Sequence, residues 1–367
     1  MSFSRTITLS KGPSSVSRPT DRPTVGVIVP AMNSSDFIDQ ALGSVAMQTR
    51  PVDQIVVVDD CSDDDTVRRV ERWSEVLPLT LVRNTRRLGV WGARGTGIER
   101  LGTDLVCQLD GDDAFLPHHV EAMCDAYEAS PGLISPRPLT WTGTGPFVPG
   151  TYTKGRLPLP GDQLVQLLAQ NYVVVGALYS RALYDKVGGF RKIAYGEEWD
   201  LWLRLVAAGA VVSKPADPSY VYRVRASSYA GGFARNTAET EVLGRFLAET
   251  RDPRLRRAVK IALLQRTGTD GLPEAHDPLA APGVDAAVLA RAGIGRDHLV
   301  YVRRDPDLGW VLAGRDESTG GPATAVIADD GRLVLRMTGG ENDYEVTFVE
   351  DELLRRDTSS LRDVLRR

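Results

Sequence analysis

The sequence predicts an α/β domain built on a mostly parallel sheet flanked by helices, with a helical extension and a small β-rich module behind it. Three observations carry this reading. Short apolar runs alternate with helix-length amphipathic stretches from Val25 to about Ser135, the spacing of successive βαβ units. Those runs are continuously apolar rather than alternating, as strands buried on both faces are. Beyond Leu299 the pattern changes to short apolar pieces separated by Gly and Asp turns, the mark of an antiparallel meander.

In chain order, Val25-Gly26-Val27-Ile28-Val29 is the first strand, ended by Pro30. Phe37, Ile38, Ala41, Leu42, Val45 and Ala46 recur at helical spacing. Residues 54–58 form the second strand and close on Asp59-Asp60; residues 66–76 form a helix with Val67, Val70, Trp73 and Leu77 on one face. Residues 79–82 are the third strand, and residues 93–101 a helix that tolerates Gly95 and Gly97 at a cost in propensity. The fourth strand, Asp104-Leu105-Val106-Cys107-Gln108-Leu109, runs into Asp110-Gly111-Asp112-Asp113, and a helix follows over 117–129. Residues 137–162, rich in Gly, Pro and Thr, read as an irregular excursion. Residues 173–179 form another strand, 197–208 a helix, and 221–224 a last sheet strand. Residues 236–265 are helical, 270–282 a linker, and 351–367 a solvated helix of mixed charge. The expected division is a flexible segment over 1–23, an α/β domain over 24–230, a helical extension and linker over 231–282, and a β-rich module with its terminal helix over 283–367.

Composition narrows the function. The 367 residues, 42% hydrophobic and 25% charged, are those of a globular protein with a sizeable core. A formal charge of −4 offers no basic face for nucleic acid. The three cysteines, Cys61, Cys107 and Cys124, have neither disulfide nor metal spacing, which fits a reducing compartment. No leader-like apolar segment opens the chain and no run approaches a membrane span, so the expected location is cytoplasmic. The sequon Asn33-Ser34-Ser35 has no meaning in such a compartment.

In parallel sheets ligands bind at the carboxyl ends of the strands. Here those ends carry Pro30-Ala31-Met32-Asn33, Asp59-Asp60 and Asp110-Gly111-Asp112-Asp113, so acidic and polar loops converge on one rim. Carboxylates at the end of a buried strand are costly unless a positive group meets them. A hard divalent cation, Mg²⁺ or Mn²⁺, suits such oxygen ligands. Taken alone, the acidic turn reads better as ordinary solvated turn chemistry, and only the other motifs of the chain reverse that.

The motifs together resemble family 2 of the inverting GT-A glycosyltransferases, a Rossmann-like fold. The resemblance rests on five blocks in the family's order, within residues 24–228. They are Val25 to Asn33, Ala41 to Thr49, Val56 to Asp64, Asp110-Gly111-Asp112-Asp113 with Pro117, and Val187-Gly188-Gly189-Phe190 followed by Gly196-Glu197-Glu198-Trp199-Asp200. It implies transfer of a sugar from a UDP- or dTDP-linked donor to a sugar, natural-product or polymer acceptor. It further implies Pro30, Ala31 and Asn33 at the nucleobase, Asp60 at the pyrimidine N3–H, Asp110 at the ribose, Asp112 on the metal and Glu198 as the base. Trp199 and Asp200 fall on the acceptor side. Arg94, at a helix start, is a candidate for the diphosphate, as is Arg225, which stands where relatives often have His and which cannot ligate a metal. Two further departures are Met32, where an aromatic is common, and the pair Glu197-Glu198, which usually ends in Asp. Trp91 and Trp141 are candidates for an acceptor cleft. His118 and His119 point apart on a helix and make no metal site, and Gly92 to Gly97 lacks the spacing of a dinucleotide site.

Two other readings remain at this point. A nucleotidyltransferase uses a similar sheet and metal loop but prefers a glycine-rich basic loop after the first strand, where this chain has Ala31-Met32-Asn33-Ser34. A non-catalytic nucleotide-sugar binding protein needs no base. The C-terminal module has acceptor recognition, self-association and stabilisation of the fold as open roles.

Overall fold

The computed structural model describes residues 22–149, 158, 161–193, 195–225, 232–267, 289–290, 292–316, 318, 321–328, 333–338 and 345–348. Of the expected lead-in over 1–23, residues 1–21 lie outside the described residues, as do the whole 270–282 linker and the terminal helix over 351–367. The strands and helices of the first part are β1 (Val25–Ala31), α1 (Ile38–Ala46), β2 (Gln54–Asp59), α2 (Thr66–Trp73), β3 (Leu79–Arg83), α3 (Val90–Arg100), β4 (Leu105–Gln108), β5 (Ala114–Phe115) and α4 (His119–Ala129). There follow β6 (Leu133–Ile134), β7 (Arg137–Trp141), β8 (Val148–Pro149), α5 (Gln163–Ala169), β9 (Leu178–Ser180), α6 (Arg181–Lys186), α7 (Glu197–Ala207), β10 (Val212–Ser213) and β11 (Pro218–Arg223). Two helices, α8 (Gly232–Glu249) and α9 (Pro253–Thr267), lead to β12 (Ile294–Asp305), β13 (Gly309–Asp316), β14 (Pro322–Ile327), β15 (Leu333–Thr338) and β16 (Glu345–Phe348).

The main sheet has the order β10-β6-β9-β4-β1-β2-β3. It is parallel except at β9, which runs antiparallel to both β4 and β6. Both faces are covered, which is why its strands carry no polar alternation. Val27, Val29, Ile55, Val57 and Cys107 face one core with Ile38, Leu42 and Met123, whereas Ile28, Val56, Val58 and Val106 face the other with Trp199, Trp202 and Leu205. Cys107 is a small buried hydrophobe.

Three expectations are corrected. The apolar run 173–179 is extended as a strand only from Leu178, because Gly176 adopts φ +90 and its missing Cβ leaves room for the Tyr220 ring. The segment 137–162 is not wholly irregular, since β7 and β8 join β5 and β11 in a second sheet of order β5-β11-β7-β8. The strand expected over 221–224 therefore belongs to this second sheet, and the short helices α5 and α6 add elements that the sequence reading left out. The 236–265 helical stretch is two helices, separated at Asp252-Pro253 where proline starts the second. The C-terminal strands pair as the expected antiparallel meander, β12-β13-β14-β15-β16. No helix among the described residues is long and apolar enough to cross a membrane.

Candidate active site

The carboxyl ends of β1, β2 and β4 meet at one rim because these three strands are parallel neighbours. The β1–α1 loop is bonded to the loop after β2. Asn33, at φ 50, accepts the Asp63 N–H on its Oδ1 at 2.9 Å, and its own N–H donates to Ser62 Oγ at 2.9 Å. Ala31 is buried and offers its backbone, whose oxygen accepts the Asp60 N–H at 2.9 Å. The Asp60 carboxylate is 3% exposed and already accepts Asn84 Nδ2 at 2.7 Å and the N–H groups of Leu88 and Gly89 at 2.9 and 2.7 Å. The Leu88 N–H also reaches the second oxygen at 3.2 Å, so both oxygens of Asp60 are engaged by the loop after β3. Gly111 brings the acidic loop against this rim: a Cβ there would lie 3.1 Å from the Pro30 oxygen.

The three carboxylates of the acidic loop lie within 4.8 Å of one another but do different work. Asp113 points inward, accepting the Tyr220 hydroxyl at 2.6 Å and the Arg223 N–H at 2.8 Å. Burial and the neighbouring Asp110 and Asp112 push its carboxyl well above the usual range. Arg223 in turn donates Nε–H to the Asp112 backbone oxygen at 2.7 Å, with its guanidinium 4.8 Å from the Phe37 ring and 4.5 Å from the Trp141 ring. Asp112 turns its side chain outward, where Arg225 Nη2 meets Oδ2 at 2.6 Å. Burial raises the Asp112 carboxyl, Asp110 adds to the rise, and Arg225 works against it.

Asp110 leans the other way, onto Arg94. That guanidinium, 2% exposed, holds Asp110 Oδ1, Glu197 Oε1 and Glu198 Oε1, each at 2.6 Å. It ties the end of β4 to the first turn of α7. The chain enters α7 through Gly196 at φ +75, a left-handed turn that glycine adopts without strain. Glu197 is buried in its pair with Arg94. The Glu198 side chain stays 16% exposed, and its Oε1, although close to Arg94, receives no hydrogen bond. Burial pushes the Glu198 carboxyl up to about 8; Arg94 opposes the rise, and Glu197 and Asp110 reinforce it.

Three expected roles change on this geometry. Arg94 does not reach into the cleft, because its position on α3 faces the sheet with Ala93, Gly97 and Ile98. It neutralises the acids from below. Trp199 is 2% exposed, donates its indole N–H to Leu167 O at 2.8 Å and packs under Arg266, so it offers no surface to an acceptor. Asp200 is equally buried and is paired to Arg191 and Arg204, the latter also holding the oxygens of Val187 and Gly189. At about 100° per residue, one helical step turns Trp199 and two steps turn Asp200 away from the Glu198 side. His119 is structural: stacked on Phe115 at 3.9 Å, it is driven down to about 3 by burial.

Sequence reasoning missed Asp113, Tyr220 and Arg223 as the lock beneath the loop. Arg223 and Arg225, two apart in an extended stretch, were the available signal, since alternate residues share a face.

A sequence model described as Glycosyl transferase family 2 matches residues 26–188, the span that holds β1, β2, β4 and the acidic loop. Residues 26–188 are a glycosyl transferase family 2 domain. The glycosyltransferase is 28% identical over 197 residues to the amylovoran biosynthesis glycosyltransferase AmsE of Erwinia amylovora, covering 52% of this chain and 71% of that one. Several other curated relatives are spanned over much less of their length, 40% for the putative teichuronic acid biosynthesis glycosyltransferase TuaG of Bacillus subtilis. In fold, the domain resembles S. aureus TarS 1–349 in complex with UDP-GlcNAc, with a TM-score of 0.54 at 18% identity over 73% of this chain and 80% of that one. It also resembles the mannosyltransferase PcManGT of Pyrobaculum calidifontis in complex with GDP-Man and Mn²⁺, with a TM-score of 0.50 at 22% identity over 76% and 82% of the two chains. The family 2 domain is thus of the GT-A fold, and the chain is a glycosyltransferase.

Proposed function

We propose that this chain moves a sugar from a UDP- or dTDP-linked donor to an acceptor hydroxyl, inverting the configuration at C1 with help from a divalent cation. The reading rests on one observation: Arg94 fastens the acidic loop and the Glu198 turn into a single cluster, so donor and base sites are held in fixed relation. Nucleotide-sugar complexes of proteins with this fold support it.

The donor set fits Mg²⁺ or Mn²⁺. Asp112 and Asp110 are half-buried carboxylates with oxygens within 4.8 Å of one another, and hard cations take such oxygens. Asp113 is committed to Tyr220 and Arg223, so Asp112 is the chief ligand with Asp110 beside it. When bound, the cation neutralises the diphosphate of the donor and so improves it as a leaving group. Asp60, Asn33 and the Pro30–Ala31 backbone hold the nucleobase. Glu198 takes the acceptor proton as the acceptor oxygen bonds to C1 and the C1–O bond to the diphosphate breaks. Its Oε1 is buried against Arg94 at 2.6 Å, so the other oxygen of the carboxylate is the one that would take that proton. The acceptor is a carbohydrate or natural-product hydroxyl, and the expected compartment is the cytoplasm.

Calorimetry with Mn²⁺ across UDP-, dTDP- and GDP-sugars tests the reading. One nucleotide class should bind, and Asp112→Asn should abolish the metal-dependent part of its affinity. Failure of every nucleotide sugar to bind overturns it.

A further inference from the structure

Two arginines hold the turn that carries Glu198. Arg94 holds it from the sheet, through Glu197 and Asp110. The second hold comes from α7 itself. The chain leaving α6 turns through Gly188 and Gly189, at φ +79 and +66, and carbonyls at the end of a helix have no partner within it. Arg204, one helical turn beyond Asp200, reaches back to these carbonyls. Its Nη1 donates to the Val187 oxygen and its Nη2 to the Gly189 oxygen, each at 2.7 Å. The same guanidinium donates to Asp200 Oδ2 from Nε at 3.0 Å and from Nη2 at 2.7 Å. The Arg204 side chain is 11% exposed and that of Asp200 3%, so water competes little for these bonds. Arg191, in the segment between, donates to both oxygens of Asp200 and is tied to Glu249 of α8.

These bonds tie the end of α6 to the middle of α7, and Glu198 lies in the chain between the tied points. The direction in which α7 starts is therefore set by the closure. A guanidinium suits the task because its planar fork carries five N–H donors in fixed directions and meets two carbonyls and a carboxylate at once. Val187, Gly189 and Asp200 are not among the residues assigned to the nucleotide or the metal. We propose that Arg204 is a positioning residue for sugar transfer: it fastens the segment between α6 and α7 onto α7, and so places Glu198, without taking part in holding the nucleotide. This rests on the assignment of Glu198 as the base. Misplacing a reacting group by about 1 Å can cost on the order of 10²-fold in rate, so a loosened closure registers in turnover and not in donor affinity.

The test compares the full chain with Arg204→Lys, which keeps a cation beside Asp200 but cannot span both carbonyls. Affinity for UDP with Mn²⁺ is measured by calorimetry. Turnover is the release of nucleoside diphosphate to water from the donor that the nucleotide-sugar screen selects. In Arg204→Lys, kcat should fall by about 10–10²-fold while the donor KM and the UDP affinity stay within about twofold of the native values. Amide hydrogen exchange should quicken at least about tenfold at Phe190 and over the first turn of α7, and stay unchanged in α9. A role confined to stability would quicken exchange throughout and leave the kcat of the folded enzyme as it was. Unchanged kcat overturns the proposal, and so does a loss of UDP affinity as large as the loss of kcat. Where Arg204→Lys does not fold, Asp200→Asn, which takes the carboxylate from the guanidinium and leaves the carbonyls, is put through the same comparison with the same expected split. If the native chain binds no nucleotide sugar, or if Glu198→Gln turns over as fast as the native chain, the underlying functional reading fails instead, and the two failures are distinct.

Discussion

Glu198 keeps its proton at neutral pH, since burial drives its carboxyl to about 8. A base must be deprotonated to act, so kcat/KM, which reports the free enzyme, should rise with pH and level off above about 8. A pH profile that is flat between 6 and 9 removes Glu198 from the role. Glu198→Gln should bind UDP normally while losing roughly 10²–10⁴-fold in transfer. The same shift acts on stability. The folded state holds a proton that the unfolded state releases nearer 4.5, so stability falls as pH rises from about 4.5 through about 8. The neutral Gln variant should accordingly unfold at a higher temperature than the native chain at pH 9. Arg94 is the opposite case. Removing it in Arg94→Met leaves three clustered carboxylates without their cation, and loss of one partner from a buried pair costs about 3–5 kcal/mol. Urea titration of that variant should show a shift of this size, shrinking at acid pH as the carboxyls take up protons.

Elements bring these residues together, and they differ in how legible they were. β1, β2 and β4 could be read because each is a contiguous apolar run closing on polar residues, and the acidic loop because its three carboxylates are neighbours in the chain. Arg94 was misread because its partners lie 16 and 103 residues away, and no periodicity in α3 announces a buried arginine. Trp199 and Asp200 were placed by their adjacency to Glu198, which a helix undoes within one residue. The second sheet was hidden because its β5 and β8 strands are two residues each and gain their structure from β7 and β11. Its link to the site runs through Tyr220, packed against Gly176. In Gly176→Ala the new Cβ would lie 2.3 Å from the Tyr220 ring, at a backbone φ of +90. Overpacking of this kind costs about 1–3 kcal/mol, and the left-handed backbone adds to it. Displacement of Tyr220 also frees Asp113, so this variant should lose Mn²⁺-dependent UDP affinity along with stability, which calorimetry can measure.

Over the whole molecule, α9 is shared between two cores. Val259, Ala262 and Leu263 enter the core with α7 and α8, while Ile261 and Leu264 pack with Val311, Val326 and Val334 of the β module. Between them Lys260, 4% exposed, bonds Asp305 at 2.6 and 2.8 Å and pairs with Asp307 at 2.6 Å. Asp305 is 1% exposed, and Arg256 supports only Asp307. Lys260→Met therefore takes this cation from the buried Asp305, at a cost of about 3–5 kcal/mol. Hydrogen exchange should quicken in α9 and in the β12–β13 turn together. Acceleration in the turn alone would mean that the two cores are not joined through this helix.

The shared Phe37 ring has a last consequence, one of parity. Arg223 and Arg225 reach it together because alternate residues of an extended stretch share a face, while Val224, 41% exposed, points to the other. Removing that single valine would put every residue after it out of phase: Arg225 would inherit the slot of Val224, and Asp112 would lose its tenant without any change to the acidic loop itself.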